Sequence, residues 1–333
     1  MSRPTGSRLR GRGRRSAKTF CMSHSRDVDG LSSAALAVAA TGGDFLLTDY
    51  DTLVPDLGRV PKGIDRLVLC DMGVDGSDEG PFVEALGRIA SRAAVTYVDH
   101  HFLGRRAKRR IEGLGVELVH DESECASMLA YARFKGDLPA VAWQVPLLGA
   151  VTDGMDDSPM ARRLIEGTDR LHVLAEASLL SNAVLANRGA RPFLRTVVRG
   201  LSRMAEPHEI KGVEASALRQ LRTSRELVRL IGERGRKLRG LAYVVVPEGT
   251  SGNVAELIPG AMGAPVGVSL APAGGRYLVE LRGTSSCKAH LGKAISEVAA
   301  RYGGSGGGHR LAAGGLLPVS SAEDSLKALD GYL

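Results

Sequence analysis

Acids and histidines recur along this chain in four short clusters: His24-Ser-Arg-Asp27-Val-Asp29-Gly30, Asp71, Asp99-His100-His101 and Asp153 in Thr152-Asp153-Gly154. Asp71 closes the apolar run Leu67-Val-Leu-Cys70, and the Asp-His-His triplet closes Ala94 to Val98. Acids and imidazoles released at the carboxyl ends of strands are how α/β proteins build sites. Carboxylates gathered there repel one another unless cations neutralise them. A mixed carboxylate and imidazole set suits Mn²⁺ or a similar divalent ion. A single acid at a strand end is ordinarily a cap or turn residue, but four clusters in succession are not accounted for that way.

Two further segments carry chemistry. Gly303-Gly-Ser-Gly-Gly-Gly-His309 allows the backbone to pass close to a phosphate and present its N–H groups, although a glycine run seen alone reads as a flexible loop. Arg105-Arg-Ala-Lys-Arg-Arg110 puts five cations in one loop directly after the triplet. That run is either a solvated charge cluster or a track for the phosphates of a longer single strand. With aromatic residues at only 4%, extensive base stacking along a long groove is not expected.

The elements that position these residues alternate. Short apolar β-type runs at 18–22, 45–47, 66–70, 94–98 and 116–119 are separated by helical stretches at 31–40, 81–90 and 123–134, and an apolar helix over 141–151 leads into Asp153. This βαβα rhythm predicts an α/β fold with a doubly wound, mostly parallel sheet. From Asp169 to Arg239 the pattern is helical and charged. Arg191, Arg195, Arg199 and Arg203 recur every four residues on one helix face, which reads as a solvated face or as a ridge facing a polyanion. A second, smaller α/β unit begins at Leu241, with a hairpin expected at Ala273-Gly-Gly275. The expected organisation is a basic tail at 1–18, a metal-binding catalytic domain at 19–168, a helical connector at 169–239 and a substrate-binding domain at 240–333.

A chain of 333 residues has room for two cores, and no apolar run approaches the roughly 20 residues that span a bilayer. Cys21, Cys70, Cys125 and Cys287 form no Cys-x-x-Cys pair, which argues against a zinc ribbon or a disulfide framework and makes a reducing cytoplasm the default. The net charge of +7 resides wholly in residues 1–18, so the remainder is formally neutral. The high isoelectric point therefore describes a tail and does not make the folded body a basic nucleic-acid binder.

From Phe20 to the end, the order of the four clusters, together with Leu281-Arg-Gly-Thr-Ser285 and Gly303 to Gly315, resembles the DHH phosphoesterase superfamily with its C-terminal DHHA1 domain. The likeness is strongest to compact archaeal RecJ-like exonucleases and to nanoRNase-type phosphodiesterases. It implies two divalent cations, Mn²⁺ before Mg²⁺. His24, Asp27 and Asp71 would hold one, and Asp29, Asp71, His100 and Asp153 the other. Asp99 would orient the site and His101 would face the substrate phosphate, making these two the catalytic pair. Arg282, Ser285, Gly306, Gly307, Gly308 and His309 would bind substrate. The spacing from His24 to Asp27 is three residues, one shorter than in phosphatase-like and nanoRNase-like members, which leaves His24 either a ligand or a substrate-side or merely polar loop histidine. The implied activity is two-metal hydrolysis of single-stranded DNA, RNA or short oligonucleotides to nucleoside monophosphates. Small linear or cyclic dinucleotides are the alternative substrates, and a non-catalytic replisome scaffold is the third reading. A replication or repair protein partner and a homodimer are compatible with all three, and no membrane partner is implied.

Overall fold

The computed structural model describes residues 17–74, 79–248, 250, 253–308 and 310–333. The chain divides into two units, the first running to Ser216 and the second from Ala217 to Leu333. The expected basic tail lies almost wholly outside the described residues. No helix among those described is long and apolar enough to cross a membrane.

The first unit alternates strands and helices: β1 (Thr19–His24), α1 (Val28–Thr41), β2 (Asp44–Thr48), α2 (Leu53–Leu57), β3 (Arg66–Cys70), α3 (Glu79–Ala90), β4 (Ala94–Asp99), α4 (Arg105–Glu112) and β5 (Glu117–His120). Helices α5 (Ala126–Phe134), α6 (Gln144–Thr152), α7 (Pro159–Ile165), α8 (Arg170–Ala186) and α9 (Arg191–Leu201) follow. The five strands are all parallel, in the order β2-β1-β3-β4-β5. The expected α/β sheet is therefore present, and fully parallel.

The central strand shows why. Leu67, Val68, Leu69 and Cys70 are all fully buried, as a strand covered on both faces requires. Leu67, Leu69 and Tyr97 pack with Phe82 of α3 and Ile111 of α4 on one face, while α1 and α5 cover the other and α6 packs against them. Helix α1 begins where Asp27 Oδ1 accepts the Gly30 N–H at 3.0 Å, and it stops at Gly42, whose φ of 67° is left-handed. Cys21, Cys70, Cys125 and Cys287 are free and buried, and burial pushes the Cys21 thiol up to about 12.

Strand order 2-1-3 places a topological switch point between β1 and β3, where open α/β sheets leave a crevice. Ser23 pairs with Cys70, and Cys70 with Val98, so His24, Asp71 and Asp99 emerge at the same level of the sheet.

The four arginines read as a solvated face or a polyanion ridge do not form one uniform face on α9. Arg195 Nη1 donates to the Phe45 carbonyl at 2.7 Å, its guanidinium lies 4.4 Å from the Phe45 ring centroid, and Nη2 meets Asp44 at 3.2 Å. Arg191 reaches Asp49 at 3.4 Å, and Arg203 lies in the turn beyond the helix. Two of the four arginines thus clip α9 to the β2 side of the sheet.

Helix α10 (Val213–Arg234) crosses the division between the units. The second unit contains β6 (Arg236–Lys237), β7 (Ala242–Val245), α11 (Val254–Met262), β8 (Val266–Ala273), β9 (Arg276–Gly283), α12 (Leu291–Arg301), β10 (Ser305–Gly308), β11 (Ala312–Pro318) and α13 (Ala322–Tyr332). Its mixed sheet runs β10-β11-β9-β8-β7-β6. The expected hairpin joins β8 to β9, and Gly274 and Gly275, with φ of 55° and 79°, supply the two positive values that a two-residue turn needs. The glycine run, by contrast, forms β10, an edge strand paired with β11, and not the open loop that its composition suggests. A side chain on Gly292 of α12 would collide with the Gly308 carbonyl, so these glycines let helix and strand approach closely.

Candidate metal centre

All eight residues expected to build the first-unit site converge outside the carboxyl ends of β1, β3 and β4. Three strands supply them directly: His24 ends β1, Asp71 follows β3, and Asp99 to His101 close β4. Asp27 caps α1, Asp29 lies in its first turn, and Asp153 caps the carboxyl end of α6.

Asp71 is the geometric centre. Its Oδ2 lies 3.6 Å from His24 Nδ1, while its Oδ1 lies 3.4 Å from His100 Nε2 and 3.9 Å from His101 Nδ1. His24 Nδ1 is also 2.8 Å from Asp27 Oδ2, and His100 Nε2 is 3.6 Å from Asp153 and 4.0 Å from Asp29. Among the described residues three overlapping ligand-type groups result here, His24 with Asp27 and Asp71, Asp71 with His100 and His101, and Asp29 with His100 and Asp153, and the donor atoms within each lie within 4.8 Å of one another. Asp71 itself has φ of 54°, a left-handed conformation that Asp tolerates better than most residues, and its N–H donates to the Val98 carbonyl at 2.9 Å.

Electrostatics show how incomplete this constellation is on its own. Partial burial, then the carboxylates of Asp29, Asp27 and Asp71, push Asp153 up to about 9. Burial and then Asp71 push Asp29 up to about 6. Burial disfavours charge on His24 and His100, but their aspartate neighbours outweigh it and lift both to about 10. Asp71 is likewise buried, yet His100 and His24 hold its carboxyl well below the usual range. Without cations the acids are thus held together by protons, on the imidazoles and on Asp153 itself.

A divalent pair fits this donor set. Neither ring nitrogen of the buried His24 makes an aligned hydrogen bond, although Asp27 stands within 2.8 Å. Such an imidazole and carboxylate point toward a common place and do not satisfy each other, as ligands of a shared cation do. His24 is the last residue of β1 with its side chain 5% exposed, so it stands on a strand end and not in a loop.

His101 is held differently. Its Nδ1 lies 2.9 Å from Asp99 Oδ1, and its Nε2 lies 2.9 Å from the Tyr50 hydroxyl. Burial opposes charge on His101, but the Asp99 hydrogen bond outweighs it and raises its pKa. Asp99 is fully buried and touches His101 and Tyr97. Its expected supporting place behind the triplet is consistent with this geometry.

Four residues of the site escape the motif reading. Tyr50 follows β2, and its ring also lies 4.8 Å from that of His24; the strand-end logic applied to the other clusters would have reached it. Its neighbour Asp49 is occupied by Ser25, Arg26 and Arg191 and stays out of the cluster. Ala126 and Ser127 of α5 donate their backbone N–H groups to Asp29 at 2.8 and 2.9 Å, a long-range cap with no local sequence signal. Gly73 lies under the His101 ring: a Cβ there would stand 2.7 Å from His101 Cγ. Gly73→Ala is expected to push the imidazole off Asp99 and lower turnover by about 10- to 100-fold, since misplacements of about 1 Å carry that cost. Steady-state kinetics with a melting curve checks this, because the fold should be retained.

In the second unit, Arg282 is partly buried and donates to the neighbouring Leu281 carbonyl at 3.1 Å, and Ser285 sits exposed in the following turn. Gly306 to Gly308 form most of β10, and His309 lies outside the described residues.

Residues 240–333 match the DHHA1 domain. Among curated proteins, none matches the chain by sequence. Solved structures do match. A pGpG-specific phosphodiesterase from Vibrio cholerae is 14% identical with a TM-score of 0.61, over 94% of this chain and 98% of that one. RecJ from Thermus thermophilus, in complex with Mn²⁺, is 16% identical with a TM-score of 0.62, over 95% of this chain and 52% of that one. The chain therefore spans about half the length of that RecJ. An exopolyphosphatase-related protein from Bacteroides fragilis is 13% identical with a TM-score of 0.56, over 95% and 92%. The domain match and the shared fold together bear out the likeness to the DHH/DHHA1 superfamily.

Proposed function

We propose that this chain is a divalent-metal-dependent phosphodiesterase that hydrolyses single-stranded DNA, RNA or short oligonucleotides to nucleoside monophosphates. The observation that carries the reading is the placement of Asp71, one carboxylate oxygen toward each of two ligand-type clusters, at the switch point of a parallel sheet. His24, Asp27 and Asp71 would hold one cation, and Asp29, Asp71, His100 and Asp153 the other, with Mn²⁺ the ion that best suits the donors. When bound, the cations supply Lewis acidity toward the phosphoryl group and neutralise the crowded acids.

The remaining residues position and donate. Asp99 fixes the orientation of His101, so that Nε2 faces the same side as Tyr50. A protonated His101 places a hydrogen-bond donor where negative charge grows on the phosphate oxygens. Arg282, Ser285, Gly306, Gly307, Gly308 and His309 are proposed to hold the terminal nucleotide, with the guanidinium as a fork-shaped phosphate partner. The names of the structural relatives, a phosphodiesterase and a RecJ crystallised with manganese, support the same reaction class.

The test is hydrolysis of end-labelled DNA and RNA strands and of linear and cyclic dinucleotides with Mn²⁺ or Mg²⁺. Metal-dependent release of monophosphates from strands is expected. Cleavage confined to dinucleotides would replace the substrate assignment, and no cleavage of any of them would overturn the reading.

A further inference from the structure

Directly after the metal centre the chain presents a surface that the chemistry above does not use. Phe102 is 78% exposed, more than any other large apolar side chain among the described residues. It is not on a loose segment. The preceding His101 carbonyl accepts from His120 Nε2 at 2.7 Å, and the following Leu103 is buried. An aromatic ring is thus held outward between two anchored residues.

Helix α4 continues from there. Ala107 and Ile111 are buried and fix it to the core, while Arg105, Arg106 and Arg109 are exposed. None of these three has a carboxylate partner among the described residues, whereas Arg110 pairs with Glu79 at 2.9 Å. The four arginine side chains line an open depression of about 390 Å³.

Local physics opposes this arrangement. Arg105 and Arg106 occupy the first turn, where the helix dipole disfavours cations and no acid is present. Arg105 and Arg109 are a like-charged pair four residues apart. Residues that break local rules without a structural return are expected at functional surfaces. The expected loop of five cations is therefore a helix with three arginines that lack a carboxylate partner among the described residues, and an aromatic ring at its head.

We propose that Phe102 and α4 form a platform for single-stranded nucleic acid, with one base stacked on Phe102 and successive phosphates on Arg105, Arg106 and Arg109. Eight residues of helix span about 12 Å, the length of about three stacked nucleotides. One exposed aromatic at the head of α4 fits the low aromatic content: one base is stacked and the rest of the strand is held by charge. The inference deepens the phosphodiesterase reading by assigning strands several nucleotides long, and rests on that reading only for the direction of catalysis.

Binding separates the two. The affinity of the full chain for fluorescent eight-nucleotide DNA and RNA is measured with EDTA over a salt series, beside the same measurement on a dinucleotide. Phe102→Ala is expected to weaken strand binding about tenfold. Replacing Arg105, Arg106 and Arg109 with Ser should reduce the slope of log affinity against log salt by about 2, at roughly 0.7 per phosphate contact. Both effects should be much smaller for the dinucleotide. Strand binding as in wild type by both variants would overturn the platform, even if hydrolysis is present. Loss on the arginine changes alone would make α4 a general polyanion surface and overturn the strand assignment. Wild-type strand binding that responds to the substitutions, in a protein without hydrolytic activity, would retain the platform and reject the phosphodiesterase.

Discussion

Asp71→Ala is expected to lower the rate of phosphodiester hydrolysis by about 10³-fold or more, the equivalent of several kcal/mol of lost transition-state stabilisation. Asp71 reaches both sides of the site: His24 stands on one side at 3.6 Å, and His100 and His101 stand on the other at 3.4 and 3.9 Å. Removing this carboxylate takes one ligand from each cation position at once. It also leaves His24 facing only Asp27, which lowers the charge that the buried imidazole can share. Asp71→Asn retains the shape but offers one neutral oxygen, so it should be nearly as impaired. The measurement is turnover under saturating Mn²⁺, with circular dichroism to show that the sheet persists. A variant retaining a tenth of wild-type turnover would contradict the central role of Asp71.

Asp29→Ala should fail twice where Asp153→Ala fails once. Both remove a carboxylate from the cluster containing His100, and both should abolish most hydrolysis. Their effects on the metal-free fold should diverge. Asp29 is fully buried and accepts two backbone N–H groups at the start of α5, where Cys125 offers no side-chain cap. Each buried donor left without a partner costs about 1–3 kcal/mol. Part of that is returned by removing a carboxyl whose charge burial and Asp71 disfavour. A net loss of about 2 kcal/mol corresponds to roughly 5 °C in melting temperature for a unit of this size. Asp153 caps no helix N-terminus, and the neighbouring acids oppose its ionisation. Its replacement should leave the EDTA-treated protein as stable as wild type, or slightly more so. Equal melting losses for both variants in EDTA would show that Asp29 has no separate structural part.

Much of this site was legible because a parallel sheet writes itself plainly. The central run Leu67 to Cys70 is continuously apolar because both faces are covered, and the acid that ends it must lie at the strand edge. The same logic locates His24 and the Asp99 to His101 triplet. What stayed hidden depends on contacts between distant segments. The cap that Asp29 gives to Ala126 and Ser127 spans nearly a hundred residues. The spacing of Arg191, Arg195, Arg199 and Arg203 is periodic whether the helix faces solvent or clips onto Phe45, and only the fold chooses. The glycine run shows a related limit. Composition records backbone freedom, while the close approach of Gly292 to Gly308 turns that freedom into an edge strand. Phe102 carried no signal at all, since exposure is a property of the neighbours that leave it uncovered.

The most direct test of the central claim is Mn²⁺ titration of the EDTA-stripped, dialysed protein, followed by electron paramagnetic resonance or calorimetry. The two clusters around Asp71 predict two ions per chain, accompanied by proton release as His24 and His100 give up the protons that now balance the aspartates. Asp71→Asn should weaken both ions together. Failure to bind Mn²⁺, or two ions bound equally well by Asp71→Asn, would contradict the account.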